Sequence, residues 1–194
     1  MRHLLAPLDV KLLLTPVLSV GSARTKDGAE HAACEHLLKL TILPYLHIIC
    51  NMKLVLDTDV LVAGLRSRTG ASRRLLALLD QGRYRAMASV AMMLEYESVL
   101  TRPENLEAFN LTTEEVERFL DSLSLLMTPV TPFFLWRPQL RDPADEHVLE
   151  AAVNGSADAL VTFNFRHFQA AAARFGIATL RPGEALQRIE TWQL

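Results

Sequence analysis

Leu54-Val55-Leu56-Asp57-Thr58-Asp59-Val60-Leu61-Val62 is the stretch on which the reading turns. With Lys53 in front, Leu54 to Leu56 is a short apolar run that reads as a strand buried on both faces, and it stops at a carboxylate, Asp57. Downstream the pattern alternates. Val60 to Leu65 and Ala71 to Gln81 read as helices, the second stopped by Gly82. Tyr84 to Ala88 is a second strand, after which Ser89 caps a helix from Val90 to Leu100 that Pro103 closes. Thr112 or Thr113, followed by Glu114, Glu115 and Glu117, opens a helix reaching Met127, since acidic residues suit the positive end of the helix dipole. Asp145 to Val153 is helical, Ala159 to Thr162 a strand, Arg166 to Phe175 a helix, Ile177 to Leu180 a last strand, and Pro182 the first position of a final helix. Strands separated by helices predict an α/β fold of three α/β/α layers, with a central, mostly parallel sheet.

Upstream of Met52 this order is lost. Residues 1–51 hold no sustained period and mix Pro7, Pro16 and Pro44 with apolar patches and a polar middle. They read as an irregular N-terminal extension, either an over-extended gene start with Met52 as the true first residue or an arm that docks on the domain; residues 52–194 read as the domain itself. The apolar stretch from Leu4 to Val20 is interrupted by Asp9, Lys11 and two prolines, which argues against a membrane span or a signal peptide. Cys34 and Cys50 form no metal-binding spacing and read as free thiols of a cytoplasmic protein. Half of the 194 residues are hydrophobic and 22% are charged, enough for a packed core. The net charge of −2 excludes a globally basic nucleic-acid binder, so charge has to be read locally.

In open parallel sheets functional groups gather at the carboxyl ends of the strands. Asp57, Ser89 and Asn164 follow three predicted strands, Asp145 opens a helix just upstream of the strand that precedes Asn164, and Glu95 lies one and a half turns into the helix after Ser89. With short connections all five converge on one pocket. Carboxylates crowded together bind protons unless a cation neutralises them. A carboxylate set without cysteine or histidine favours Mg²⁺ or Mn²⁺ and phosphodiester chemistry over zinc chemistry. Plainer roles stand beside these. Asp57 could cap the following helix, Glu95 could be solvated with Glu97 in its place, and Asp145 could serve a helix dipole. Asp59, Ser89, Asp142 and Glu146 are auxiliary candidates.

Four segments in order resemble PIN domains. Leu54 to Val62 resembles the opening strand motif. Ser89 with Glu95-Tyr96 and Val99-Leu100-Thr101-Arg102-Pro103 resembles the second. Arg141-Asp142-Pro143-Ala144-Asp145-Glu146-His147-Val148-Leu149-Glu150-Ala151-Ala152 resembles the third, and Ala157-Asp158-Ala159-Leu160-Val161-Thr162-Phe163-Asn164 the fourth. Phe175-Gly176-Ile177 and Arg181-Pro182-Gly183-Glu184 complete the likeness, which spans residues 53–190. The resemblance implies a VapC-type, Mg²⁺-dependent endoribonuclease that prefers single strands, with a cognate antitoxin that occludes its groove and a tendency to homodimers. Its acidic cluster, carried over by position, is Asp57, Glu95 and Asp145 as catalytic and metal-binding residues, with Asn164 at the fourth acid's place. Asp59 stands where Asn is usual, and Asn164 supplies a carbonyl oxygen but no charge.

Arg66, Arg68, Arg73 and Arg74, with Arg83 and Arg85, cluster beside the first two motifs and are candidates for RNA phosphate contact. His147 and His167 read as surface or capping residues, because no cysteine or histidine partner has metal spacing. Phe133, Phe134 and Trp136, set among prolines, read as a packed loop or dimer contact rather than a base-stacking platform. Two rival readings stand beside this one. A haloacid-dehalogenase-like phosphatase needs a lysine downstream of its nucleophile, and no lysine follows Lys53. A catalytically weakened protein of the same fold, acting as a binding or scaffolding module, is the alternative to the nuclease.

Overall fold

The computed structural model describes residues 52–191, so the expected extension 1–51 and its two cysteines lie outside the described residues, as do residues 192–194. In chain order the elements are β1 (Lys53–Leu56), α1 (Thr58–Arg66), α2 (Ala71–Asp80), β2 (Arg85–Ala88), α3 (Val90–Leu100), α4 (Pro103–Phe109), α5 (Thr113–Leu126), β3 (Thr128–Pro129), a 3₁₀ turn (Pro143–Asp145), α6 (Glu146–Asn154), β4 (Ala159–Val161), α7 (Phe165–Arg174), β5 (Ala178–Leu180) and α8 (Pro182–Thr191). The five strands form one sheet in the order β3-β2-β1-β4-β5, and all four pairings are parallel. Eight α-helices among the described residues flank it in a three-layer α/β/α arrangement.

Burial explains the central strand. Leu54, Val55 and Leu56 are each 0% exposed, as an apolar run without alternation requires when helices cover both faces of a sheet. The register Val55↔Met87 on one side and Val55↔Leu160 on the other places β1 in the middle. The capping residues fall where the sequence puts them. Asp57 accepts from the Thr58 backbone N–H, Ser89 from Met92 N–H, and Thr112 shares a reciprocal capping box with Glu115. Gly176, at φ +74°, makes the left-handed turn that sends α7 back into β5.

Two elements depart from expectation. Pro103 does close α3, but it also opens α4, where its missing N–H costs nothing at the first helical position. The strand β3 was not expected, since two exposed residues carry no periodicity; it exists because Thr128 and Pro129 pair with Met87 and Ala88 at the sheet edge, where a proline is tolerated. The aromatic loop is partly as read. Trp136 lies between Phe134 and Phe175 with ring centroids 5.8 Å from each, while Phe133 stays 81% exposed.

The sequence order of the strands runs outward from β1 to β2 and β3 on one side and through β4 and β5 on the other. The order reverses between β1 and β4, and the crevice beyond their carboxyl ends is where such sheets bind ligands.

Candidate active site

The residues that leave β1 and β4 build the floor of that crevice. Asp57 N–H donates to the Val161 carbonyl at 2.9 Å, which carries the β1–β4 pairing one residue further and fixes the carboxylate at the sheet edge. Asp57 Oδ1 caps α1 through Thr58 N–H at 2.8 Å, and Oδ2 accepts from the Thr162 hydroxyl at 2.6 Å. The two Asp57 oxygens thus have separate partners, the helix cap on one and the Thr162 hydroxyl on the other. Asp59 Oδ2 accepts from Phe163 N–H at 2.9 Å and lies 3.3 Å from the same threonine hydroxyl. Asp59 Oδ1 is buried without a hydrogen-bond partner.

Glu95 arrives from α3. The fully buried Tyr96 donates its hydroxyl to the Leu56 carbonyl at the end of β1, which fastens this turn of α3 over the crevice. Glu95 Oε1 accepts from the Thr58 hydroxyl at 2.9 Å, and Oε2 lies 2.5 Å from His147 Nε2. Asp145 ends the 3₁₀ turn before α6, its Oδ2 3.0 Å from His167 Nε2. Asp57, Asp59, Glu95, Asp145 and Asn164 all line one open pocket, and Arg66 stands at its side.

Crowding shows in the protonation equilibria. Burial, followed by the nearby Asp59 charge, pushes the Asp57 carboxyl up to about 7, against the pull of the Thr162 and Thr58 hydrogen bonds. Asp59 is also raised by burial, and Asp145 by burial against the opposing charge of His167. Glu95 goes the other way, lowered by its contact with His147, whose own pKa the same contact raises.

Several expected site residues sit elsewhere. Ser89 is buried at the end of β2, spends its hydroxyl on the α3 cap, and faces a different cavity between α3 and α5. β2 lies on the far side of β1 from β4, so its end does not share the crevice. Asp142 caps the 3₁₀ turn through Ala144 N–H. Glu146 is 1% exposed and accepts from the backbone N–H groups of Gln139 and Leu140, a structural clamp. Of the arginines, Arg66 and Arg68 are exposed, but Arg73 is buried in α2, where desolvation lowers its pKa, and this removes it from an RNA-facing surface. Arg74 pairs with Glu190 of α8 at 3.0 Å.

The structure adds four partners that sequence reasoning did not place in the site: Thr58 and Thr162, and His147 and His167, which read as surface or capping residues but are largely covered against Glu95 and Asp145. The histidines pair across elements with acids distant in sequence, so spacing gave no signal for them. Thr162 could have been noticed as a polar residue closing an apolar strand two positions before Asn164. Its hydroxyl also accepts from Asn164 N–H at 2.9 Å. Thr162→Val keeps the shape but removes a buried hydroxyl donor from Asp57 and Asp59, so it is expected to destabilise the metal-free protein by about 1–3 kcal/mol. Urea unfolding in EDTA checks this, and an unchanged midpoint would show that the hydroxyl does not organise the crevice.

A PIN-domain family model matches residues 53–166, more than half of the chain. The chain belongs to the PIN-domain family. The matched region runs from the first residue of β1 to the start of α7 and so contains every acid of the pocket. A solved structure, VapBC2 from Rickettsia felis bound to a DNA fragment from their promoter, shares the PIN fold with a TM-score of 0.50. That match covers 67% of this chain and 98% of the other at 15% identity, which speaks to fold alone. No curated protein matches the chain.

For a PIN domain the question is whether these side chains suit a divalent cation. As they stand, no three acidic, histidine or cysteine side chains among the described residues close on a single point. Glu95 and Asp145 are each turned onto a histidine. The donor set nonetheless fits: it is all oxygen, it carries an unpartnered buried oxygen on Asp59, and Mg²⁺ keeps several waters and needs only a few protein carboxylates.

Proposed function

We propose that this PIN-domain chain is a divalent-cation-dependent endoribonuclease and the toxin of a VapC-type toxin–antitoxin pair. The observation that carries the reading is the gathering of four carboxylates and Asn164 in the crevice where the strand order reverses. Structural proteins rarely crowd like charges at such cost, and a raised carboxyl in a cleft marks a functional site.

Asp57, Glu95 and Asp145 would hold Mg²⁺ or Mn²⁺, with Asn164 lending a neutral oxygen and Asp59 supplying the charge that Asn164 lacks. A bound divalent cation supplies charge neutralisation and an activated water for attack at phosphorus. The chain's own residues do the rest. Thr162 and Thr58 orient Asp57 and Glu95, and exposed Arg66 offers a guanidinium to a phosphate that enters the pocket. Arg68 is exposed nearby in sequence and suits the same backbone.

The antitoxin partner is inferred from the PIN-toxin motifs and from the fold shared with the Rickettsia felis VapBC2 structure. A homodimer and a cytoplasmic location belong to the same reading. No helix of the described residues is long and apolar enough to cross a membrane. A second reading, a PIN-fold binding module without catalysis, draws on the neutral Asn164 and on carboxylates that do not converge in this arrangement.

Incubating the purified chain with Mg²⁺ and end-labelled single-stranded RNA, duplex RNA and single-stranded DNA separates these readings. Internal cleavage of single-stranded RNA, absent from Glu95→Gln, is the expected result. Intact RNA under every divalent cation would favour the binding module.

A further inference from the structure

Beyond the His167–Asp145 pair lies a second cavity, walled by Gln139, Arg141, Arg166, His167 and Arg174. His167 belongs to this wall, while its Nε2 stands 3.0 Å from Asp145 Oδ2 in the acidic pocket, so one side-chain pair separates the two spaces. Three arginines line the cavity and no carboxylate does, in a chain whose net charge is −2. Arg141 and Arg166 are exposed and make no ion pair among the described residues. Arg174 donates to the Gln139 side-chain carbonyl at 2.5 Å, a neutral partner that leaves its charge uncompensated. The wall is held firmly. Glu146 fastens the backbone of Gln139 and Leu140, and Glu150 accepts from Arg137 Nε and Nη2 at 2.7 and 2.9 Å.

We propose that this cavity is a phosphate subsite, holding the backbone of single-stranded RNA immediately beside the phosphate to be cleaved; the assignment rests on the nuclease reading above. A pocket of carboxylates repels a polyanion, so RNA that enters it needs cationic contacts close by. Arg141 and Arg166 are placed for this, one preceding Asp145 by four residues and the other following Asn164 by two. Guanidinium groups match phosphate oxygens in pairs. No phenylalanine, tyrosine or tryptophan lines the cavity, and its one ring, His167, is held by Asp145 on one side and edge-on to Phe168, so it offers no broad platform for a base. It therefore holds backbone and contributes affinity rather than sequence preference.

The test is anisotropy of fluorescein-labelled single-stranded RNA with the full chain, in EDTA so that nothing is cleaved, over a range of NaCl concentrations. For single strands the slope of log affinity against log salt is roughly −0.7 per phosphate neutralised. Arg141→Gln with Arg166→Gln is expected to flatten the slope by about 1.4, equally for unrelated sequences. Arg118→Gln, exposed on α5 and outside the cavity, controls for the loss of a surface arginine and should leave the slope unchanged. An unaltered slope in the double variant overturns the subsite, as does a wild-type chain that binds no RNA. Competition by oligoglutamate that depends on the two arginines while the RNA slope stays fixed would also overturn it, in favour of an acidic protein partner. Cleavage in Mg²⁺ is scored separately. A chain that cleaves nothing but loses the slope on substitution keeps the subsite and loses the nuclease.

Discussion

Asp57→Asn is expected to stabilise the metal-free protein at pH 8 by on the order of 3 kcal/mol, and the gain should vanish as the pH falls towards 4. The Asp57 carboxyl is raised from 3.8 to about 7 in the fold. A group that binds its proton more tightly when folded favours the fold fully below its unfolded pKa. That contribution is lost as pH rises from about 4 through 7, and the loss is constant above. Asparagine escapes the loss because it carries no charge to desolvate and none to repel Asp59. The hydrogen bonds survive the exchange. The amide oxygen can still cap α1 at Thr58, and the Thr162 hydroxyl can turn its proton to Asp59 while accepting from the new amide. Asp59 is raised too, so the variant should keep a shallower pH slope of the same sign. Urea unfolding in EDTA at pH 4, 6 and 8 reads this directly. Parallel curves for wild type and variant would mean that the crevice holds no strained charge.

Cleavage should respond in one direction while stability responds in two. Asp57→Asn, Glu95→Gln and Asp145→Asn are each expected to lower RNA cleavage by about 10²-fold or more, as loss of several kcal/mol of charge stabilisation at the phosphate implies. Yet Glu95 sits below its ordinary range because His147 holds it, so Glu95→Gln forfeits a favourable contact and should not stabilise the fold. Asp57→Asn stabilises and Glu95→Gln does not, although both silence the site. A common effect on stability would point to misfolding as the cause of lost activity. His147→Ala should cost less, roughly 10- to 100-fold, as partners that orient a ligand do. Wild-type turnover in any of the three acid variants would remove that residue from the site.

Much of this arrangement was legible in the sequence, for identifiable reasons. An unbroken short apolar run ending at Asp57 reads as a strand covered on both sides, and it is the central one. Alternation of strands and helices fixed a parallel sheet, and the strand-end rule then pointed to Asp57 and Asn164, which do line one pocket. That rule failed for Ser89 because strand order is not readable from periodicity; β2 ends away from the β1–β4 crevice. Helical spacing let Arg73 pass as a surface charge, since a cation on an amphipathic helix carries no sign of which neighbours will cover it. The histidines were read by ligand spacing, a local criterion. His147 meets Glu95, and His167 meets Asp145, only after separate elements pack together. β3 owes its existence to the Met87 and Ala88 backbone beside it and not to anything in Thr128 or Pro129.

The central claim is that the acidic crevice works through a divalent cation, and chelation followed by add-back tests it most directly. The purified full chain, stripped with EDTA and dialysed, should leave single-stranded RNA intact and recover cleavage when Mg²⁺ or Mn²⁺ is returned. Asp145→Asn under the same titration should stay inactive or need far more cation. A proton held on Asp57 competes with the cation for the same oxygens, so the half-saturating concentration should fall as pH rises from 6 to 8. Undiminished cleavage in EDTA, or recovery by Asp145→Asn at the wild-type cation concentration, would contradict the account.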